Sequence, residues 1–544
     1  EATAPELREY IWVDAERGSI ALHFSQLTDA RNRMVYSANS TASLPGTLCR
    51  AEGGGASGNV DCDQAYEYSG DTYDYFSSQH GRDSYDDAGA TMISTVDYCP
   101  SPAQCPFANA YWDGTQMVYG DGFPAADDVV AHELTHAVTE NSANLFYYQQ
   151  SGALNESFSD IFGETIDLTN ASGTDTAPVR WLLGEDVPGF GAIRDMMNPT
   201  DFGDPGKVSD AQFVCAGIEN DQGGVHSNSG VPNHAYALMV DGGTYNGVTV
   251  SGIGLTKAGK IQYRVLTQYL VSGSNFVDNY QATQQACKDL VGTAGITTGN
   301  CAEVAKALNA VEMSQTPCSQ PQEPPLCPAG QSPVNIFHDD LENVSSGNWA
   351  NVVNTGVNHW NGGLGTPDIY FLGYATSGEK SFWGFDYSSV GDSTAEMAVN
   401  AALPASGTAY LQFNHSFEFE AVFDGGVLEY STNGGASWSD AGSLISAGAQ
   451  YNGTLSASCG NPLGGRSAFV ADSFGYTATK LDRSSLAGQN ARFRFRTGTD
   501  NTIEHLGWFI DDIRIFQCAA ATSSNIGVFR PSNRRFYLDV DGSN

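Results

Sequence analysis

The hydrophobic rhythm of the chain changes twice. Residues 8–40 alternate apolar and polar positions in strand-like runs, YIWVDAERGSIALHF and then NRMVYSA, with a turn at Glu16-Arg17-Gly18. Helical periodicity first emerges at Asp128, where DVVAHELTHAVTENSANLFYY opens on acidic residues and sets Val129, Val130, Leu134, Ala137 and Val138 at helical spacing. A second helical stretch, ALNESFSDIFGETIDL, follows, and further runs occupy about 232–241, 256–272, 276–291 and 302–312. The first 315 residues are therefore β-rich early and α-rich late, an α+β unit with a junction near residue 147.

The segment 317–333, PCSQPQEPPLCPAGQSP, carries too many prolines for a helix or a central strand and reads as a stiff linker. Beyond it short alternating runs lie between Gly, Asn and Ser turns, among them VLEYSTNGGASW, ARFRFRTG and LGWFIDDIRIF, which predicts an all-β antiparallel sandwich over 334–518. Residues 519–544 read as a tail, the start of a truncated further module. Its last residues, Asp539-Val540-Asp541-Gly542-Ser543-Asn544, begin like a calcium loop without the later ligands.

Charge and cysteine narrow the class. With 25 basic and 62 acidic residues among 544, the net charge is −37, which excludes nucleic-acid binding by phosphate neutralisation. No stretch approaches the roughly 18 uninterrupted apolar residues of a membrane span. Among the 11 cysteines, three spacings suit short loops, Cys49 with Cys62, Cys99 with Cys105 and Cys287 with Cys301, and none is a CxxC pair. This usage fits an exported, extracellular protein of bacterial type whose disulfides form in an oxidising compartment. The other five, Cys215, Cys318, Cys327, Cys459 and Cys518, leave one thiol free or paired outside the chain.

His132-Glu133-Leu134-Thr135-His136 is an HExxH pattern, which places two imidazoles one turn apart on a helix face, within reach of one zinc ion. Twenty residues after His136, Glu156 and Asp160 share a face of the next helix. Glu156 completes a His2Glu set with an open fourth position, the arrangement of a catalytic zinc. Asp160 is expected to orient His132 from behind, and Glu133 to face the open position as general base and then acid.

Five strings in the same order resemble the thermolysin-like zinc metallopeptidases: NAYWDGTQMVYGDG (109–122), VVAHELTHAVTE (129–140), SGALNESFSDIFGE (151–164), WLLGED (181–186) and GVHSNSG (224–230). The resemblance covers about residues 31–315 and implies a two-lobed catalytic domain, 31–316, with a β-rich N-lobe (about 31–147) and an α-helical C-lobe (148–316). It implies that His226, held by Asp221, and Tyr147 donate to the developing oxyanion. It also implies that Asn109 and Ala110 grip the substrate strand, that Arg194 binds a substrate carbonyl, and that Val129, Leu183, Ile193 and Phe123 line an apolar pocket for the residue after the cut. Asp128, Asp167 and Glu185 match a family calcium site, but Arg180 and Leu182 replace two of its acidic positions, so one calcium is expected there rather than two.

Residues 11–24 resemble the end of the family's propeptide, or form the first hairpin of the mature enzyme, so 1–30 is either a propeptide remnant or that hairpin. The sandwich resembles MAM-like jelly-roll modules of secreted peptidases through EYSTNGGASW and GWFIDDI. Trp438, Trp508 and Phe509 are core residues or a surface for protein or glycan polymers, and Asp511 and Asp512 bind calcium or face water. The expected protein is a monomeric, exported zinc endopeptidase acting on protein and peptide substrates, with one zinc and one calcium. Its rivals are a zinc aminopeptidase, and an adhesion protein with a vestigial metal site.

Overall fold

A computed structural model describes residues 31–360, 369–458 and 460–520, together with the backbone of strands at Glu9–Val13, Ile20–Ser25, Val528–Arg530 and Arg535–Tyr537. The chain divides into two compact units, Glu1–Asn141 with Phe162–Arg180 and Gly184–Ala192, and Ser142–Ile161 with Trp181–Leu183 and Ile193–Asn544. The first contains the helices α1 (Val60–His80) and α2 (Asp127–Glu140) and a five-stranded sheet. Its strand order is Thr47–Ala51, Arg33–Thr41, Met92–Tyr98, Met117–Tyr119, Ala110–Trp112, so Ala110–Trp112 is an edge. The outer pairs are antiparallel and the inner two parallel. Val35, Met92, Val96 and Met117 from the sheet share one core with Tyr66 and Tyr73 of α1 and Val130 and Leu134 of α2.

The hydrophobic pattern places no helix before Asp128, yet α1 is a 21-residue helix. Its buried residues are Cys62, Ala65, Tyr66, Ser69, Gly70, Thr72, Tyr73 and Phe76, small or aromatic groups among Asp and Ser, so no aliphatic stripe announces it. The end signals are conventional. Asn59 caps the N-terminus through Asp61 N and Cys62 N, and Gly81 closes the C-terminus at φ 72°.

In the second unit the helices are the first half of α3 (Gln149–Asn170), then α4 (Asp221–Asn228), α5 (Gly230–Asp241), α6 (Leu255–Gln268), α7 (Phe276–Asp289) and α8 (Thr298–Ala310). Capping boxes at Asn275/Asp278 and Thr297/Asn300 start α7 and α8. The polypeptide then forms two antiparallel sheets. One runs Tyr370–Leu372, Lys380–Asp386, His505–Ala520, Ala409–Glu418, Thr477–Asp482, Ile445–Gly448, with Gln331–Asp339 also paired to His505–Ala520. The other runs Trp349–Gly356, Gly391–Met397, Asn490–Thr499, Gly425–Ser431, Ser439–Asp440. Phe413, Ile510 and Ile515 of the first and Met397, Leu428 and Phe493 of the second belong to one buried core, which makes the pair a sandwich. The fold is α+β with a β-rich N-lobe and a helical C-lobe, followed by antiparallel β structure.

Trp508 and Phe509 are core residues, 0% and 1% exposed, whereas Trp438 is half-buried with the Arg494 guanidinium 4.4 Å above its ring. Asp511 accepts hydrogen bonds from Thr376 and Ser377, and Asp512 from their hydroxyls. Disulfides join Cys49 to Cys62, Cys99 to Cys105 and Cys287 to Cys301, as the spacings suggest, and also Cys215 to Cys318 and Cys327 to Cys518. Cys459 and the loop 539–544 lie outside the described residues, as do the side chains of 11–24. Among the described residues, no helix is long and apolar enough to cross a membrane.

Candidate active site

Helix α2 is buried along nearly its whole length, and its HExxH residues inherit that environment: His132 is 8% and Glu133 6% exposed, with His136 half-buried. The 3.6-residue period stacks the two imidazoles with their Nε2 atoms 3.0 Å apart. Tetrahedral zinc with Zn–N bonds of about 2.0–2.1 Å sets its ligands ~3.3 Å from each other, so these nitrogens are spaced for one ion. Glu156 of α3, 1% exposed, joins them: His132, His136 and Glu156 each offer a ligand atom within 4.8 Å of the others. Two neutral imidazoles and one carboxylate are a donor set that suits zinc.

A second constellation surrounds Glu156. The Tyr147 hydroxyl donates to Glu156 Oε1 and lies 3.1 Å from His226 Nε2, which is itself 3.6 Å from Glu156 Oε1. His226 is placed by an unusual turn. Asp221, Gln222, Gly223 and Gly224 all have φ between 47° and 87°, a left-handed run that two glycines make tolerable. The turn brings Asp221 Oδ1 to 2.6 Å from His226 Nδ1 and Asp221 Oδ2 to 3.0 Å from the His226 backbone N. The negative charge of Glu156, and then the bond to Asp221, raise His226 to about 9 against the opposing effect of burial. Tyr147 is 38% exposed, open to a ligand on its outer side.

Asp160, one turn beyond Glu156, is 0% exposed. Its carboxylate accepts Arg194 Nε at 2.9 Å, Arg194 Nη2 at 2.7 Å and Asn233 Nδ2 at 2.7 Å. Burial disfavours the Arg194 charge, but Asp160 and then Glu156 outweigh it and hold the guanidinium firmly protonated.

Of the remaining substrate candidates, Asn109 is exposed and its carbonyl accepts Gly120 N at 3.0 Å, while Ala110 pairs with Tyr119 on the edge strand. Val129 and Phe123 are each 8% exposed, and the Phe123 ring lies 5.5 Å from Phe190. Ile193 N donates to Leu183 O at 2.8 Å, which holds a buried Leu183 beside an Ile193 that is 40% exposed.

Two models of one family match the chain: thermolysin metallopeptidase, catalytic domain, over residues 11–140, and thermolysin metallopeptidase, alpha-helical domain, over residues 143–313. Through these residues the chain belongs to the thermolysin metallopeptidase family. Bacillolysin of Bacillus cereus is 42% identical over 284 residues, 50% of this chain and 47% of the relative. Thermolysin of Alicyclobacillus acidocaldarius subsp. acidocaldarius is 41% identical over 316 residues, 56% of this chain and 52% of the relative. The precursor of protealysin, a metalloproteinase from Serratia proteamaculans, overlays with a TM-score of 0.43 at 31% identity, covering 52% of this chain and 88% of that one. The chain spans about half the length of the curated relatives it matches.

Thermolysin-like strings locate Asp128, Asp167 and Glu185, but a fuller acidic cluster stands there. A Cβ on Gly173 would meet Asp127 Oδ1 at 2.6 Å, Asp186 Oδ2 at 2.9 Å and Asp167 Oδ1 at 3.2 Å. Burial, reinforced by neighbouring carboxylates, raises Asp128 to about 7 and Glu185 to about 8, and pushes Asp167 upward too. Among the described residues, these carboxylates are not one of the groups of three ligands that converge within 4.8 Å.

The thermolysin-like motifs also miss the sandwich residues that meet the two neighbours of Tyr147 and the segment just before Asp221. Phe146 stacks on Tyr374 with centroids 4.4 Å apart, the Tyr148 hydroxyl donates to Asp472 at 3.0 Å, and Glu418 accepts Ile218 N at 2.8 Å. Asn233, the third donor to Asp160, is likewise unannounced. No spacing rule links position 148 to position 472, so nothing in one sequence could have found them.

Proposed function

We propose that the chain is a zinc-dependent metalloendopeptidase that cuts peptide bonds of extracellular proteins on the amino side of large apolar residues. The observation that carries this reading is the convergence of His132, His136 and Glu156, with Glu133 on the same helix. Held by those three side chains, zinc would supply a Lewis acid that polarises the scissile carbonyl and acidifies water.

The chain's own residues do the rest. Glu133 takes a proton from the attacking water and passes it to the leaving amine as the C–O bond forms and the C–N bond breaks. Tyr147 O–H and His226 Nε2–H donate to the oxyanion; Asp221 accepts from Nδ1–H and, with Glu156, holds the ring as imidazolium, so that Nε2 carries a proton as well. Asp160 orients His132 and at the same time fixes Arg194, whose remaining N–H groups meet a substrate carbonyl. Asn109 and Ala110 lie at a sheet edge, where an extended peptide adds as another strand. Val129, Leu183, Ile193 and Phe123 select an apolar side chain, weakly, at about 1–3 kcal/mol per methylene.

The five disulfides among the described residues support an exported, extracellular enzyme. The carboxylates at Asp128, Asp167 and Glu185 would hold one structural calcium. Segment 1–30 is read as propeptide remnant or first hairpin, 31–316 as the peptidase domain, 317–333 as the linker, 334–518 as a sandwich that can also engage polymeric substrates, and 519–544 as a tail, on a monomer.

The test is mass spectrometry of the fragments released from an unfolded protein by the zinc-loaded chain, run beside Glu133→Ala at matched zinc content. Internal cuts before Leu, Phe, Ile or Val that the variant does not make are expected. Single residues trimmed from amino ends would instead mark an aminopeptidase, and cuts made equally by both proteins, or by neither, would remove the mechanism.

A further inference from the structure

At one end of the sandwich four carboxylates meet where the chain passes between its sheets. Asp386 ends the strand Lys380–Asp386 of the first sheet. Glu420 and Asp424 lie in the connection from Ala409–Glu418, in the first sheet, to Gly425–Ser431, in the second. Asp500 sits in the return connection from Asn490–Thr499 to His505–Ala520. Glu420, Asp424 and Asp500 each offer an oxygen within 4.8 Å of the others.

Backbone and hydroxyl donors fix one oxygen of each group. Asp424 Oδ1 accepts Asp500 N at 2.6 Å, Asp386 Oδ2 accepts Glu420 N at 3.3 Å, Asp500 Oδ1 accepts Thr502 N at 2.8 Å, and Glu420 Oε2 accepts Thr502 Oγ1 at 2.5 Å. The decisive observation is what these bonds leave over. Asp386 and Asp424 are both 0% exposed, and Asp386 Oδ1 and Asp424 Oδ2 are buried with no hydrogen-bond partner. The charged neighbours that act on this pair are each other, Glu420 and Asp500, all acidic. The nearby imidazole of His505 lies 3.5 Å from Glu418. A buried carboxylate oxygen without a donor is costly, and like charges side by side add to that cost, which either a proton shared between Asp386 and Asp424 or a bound cation relieves.

We propose that Asp386, Glu420, Asp424 and Asp500 form a calcium site that ties together the two connections between the sheets of the sandwich. The donors are all hard oxygens, which favours calcium over zinc or copper. Calcium also accepts a flexible set of six to eight carboxylate, carbonyl and water oxygens, whereas magnesium demands near-ideal octahedral geometry and keeps several of its waters. The ion would pin the end of the sandwich where the chain twice crosses from sheet to sheet.

The experiment uses the full chain with zinc retained, washed with a calcium-selective chelator and then titrated with calcium. Metal per chain is counted by mass spectrometry under native conditions, for wild type, Asp386→Asn and Asp424→Asn. Wild type should bind one more calcium than either variant, since the variants leave the carboxylates around Asp128 untouched. Amide exchange in 419–425 and 499–504 of wild type should slow about tenfold at roughly ten times Kd, the linkage expected when the ion binds only the closed form. In chelator, Asp386→Asn should melt no lower than wild type, because it removes one of the crowded charges, and in calcium the order should reverse. Equal calcium counts in all three proteins, or exchange in wild type that calcium does not change, would overturn the site and leave a shared proton between Asp386 and Asp424. The exchange measurement needs no variant to fold.

Discussion

Replacing Arg194 by Met should cost far more stability than an arginine usually carries. Asp160 is 0% and Arg194 9% exposed, so neither charge is appreciably hydrated, and the guanidinium supplies two of the three hydrogen bonds described for the carboxylate. Breaking such a pair from one side strands a buried charge, at about 3–5 kcal/mol, and Asp160→Asn should cost a similar amount because it strands Arg194 instead. The double variant Asp160→Asn/Arg194→Met has no charge left to strand. Its loss should fall well short of the roughly 6–10 kcal/mol sum of the two single losses. Urea unfolding of the zinc-loaded chains, followed by fluorescence and circular dichroism so that coincident transitions can be checked, gives the cycle. Peptide kinetics on the same proteins separates structure from substrate contact. KM should rise in Arg194→Met and stay raised in the double variant even where stability returns. A cost below about 1 kcal/mol for Arg194→Met, or strict additivity in the cycle, would refute the buried-pair reasoning.

Tyr147→Phe removes one donor from the oxyanion and should lower kcat about 10²-fold with KM nearly unchanged, measured on a short peptide. Without bound metal, the chain should lose stability as pH rises from about 4 to 8: Asp128 and Glu185, raised to about 7 and 8 by burial, keep protons there that the unfolded chain has released, and Asp128→Asn should flatten that slope in calorimetry. Removing residues 319–544 should lower small-peptide turnover and not merely attack on polymers, because Tyr374, Asp472 and Glu418 leave with the sandwich. Unchanged kcat in the truncated protein would show that the loop at Tyr147 stands without them.

Sequence reading reaches furthest where chemistry follows from local spacing. His132, Glu133 and His136 lie on one helix, and Glu156 and Asp160 on the next, so a helical period is enough to group them. The same logic finds the strands of the sandwich, where Ala491, Phe493 and Phe495 face the core while Arg494 and Arg496 alternate with them to meet Glu429 and Asp392. It fails at α1, whose buried face mixes tyrosine with Ala, Ser and Gly. There the caps Asn59 and Gly81 were better evidence than hydrophobicity, and a reading weighted toward aliphatic residues passes over them.

The parts that were not legible share a cause: they are made by pairs of residues far apart in the chain, and no periodicity reports such pairs. Asn233 reaches Asp160 across 73 positions, Tyr148 reaches Asp472 across 324, and Asp386 stands by Glu420 across 34. In each case the sequence shows an ordinary polar residue in a strand, loop or helix, and only burial turns it into a constraint. An exposed Asp386 would be one acid among 62. Buried with an oxygen that no donor satisfies, it becomes a demand for charge, and that demand is a physical statement a composition cannot make. The excess of acid that argued against nucleic acid therefore includes carboxylates of different kinds: solvated ones, which a charge count describes adequately, buried ones met by neutral donors, as Asp339 and Asp511 are, and buried ones such as Asp128, Asp160 and Asp424. For Asp160 the cation is Arg194. For Asp128 and Asp424, raised to about 7 chiefly by burial, a proton relieves the charge where no metal is bound, and calcium is the proposal that the metal count tests.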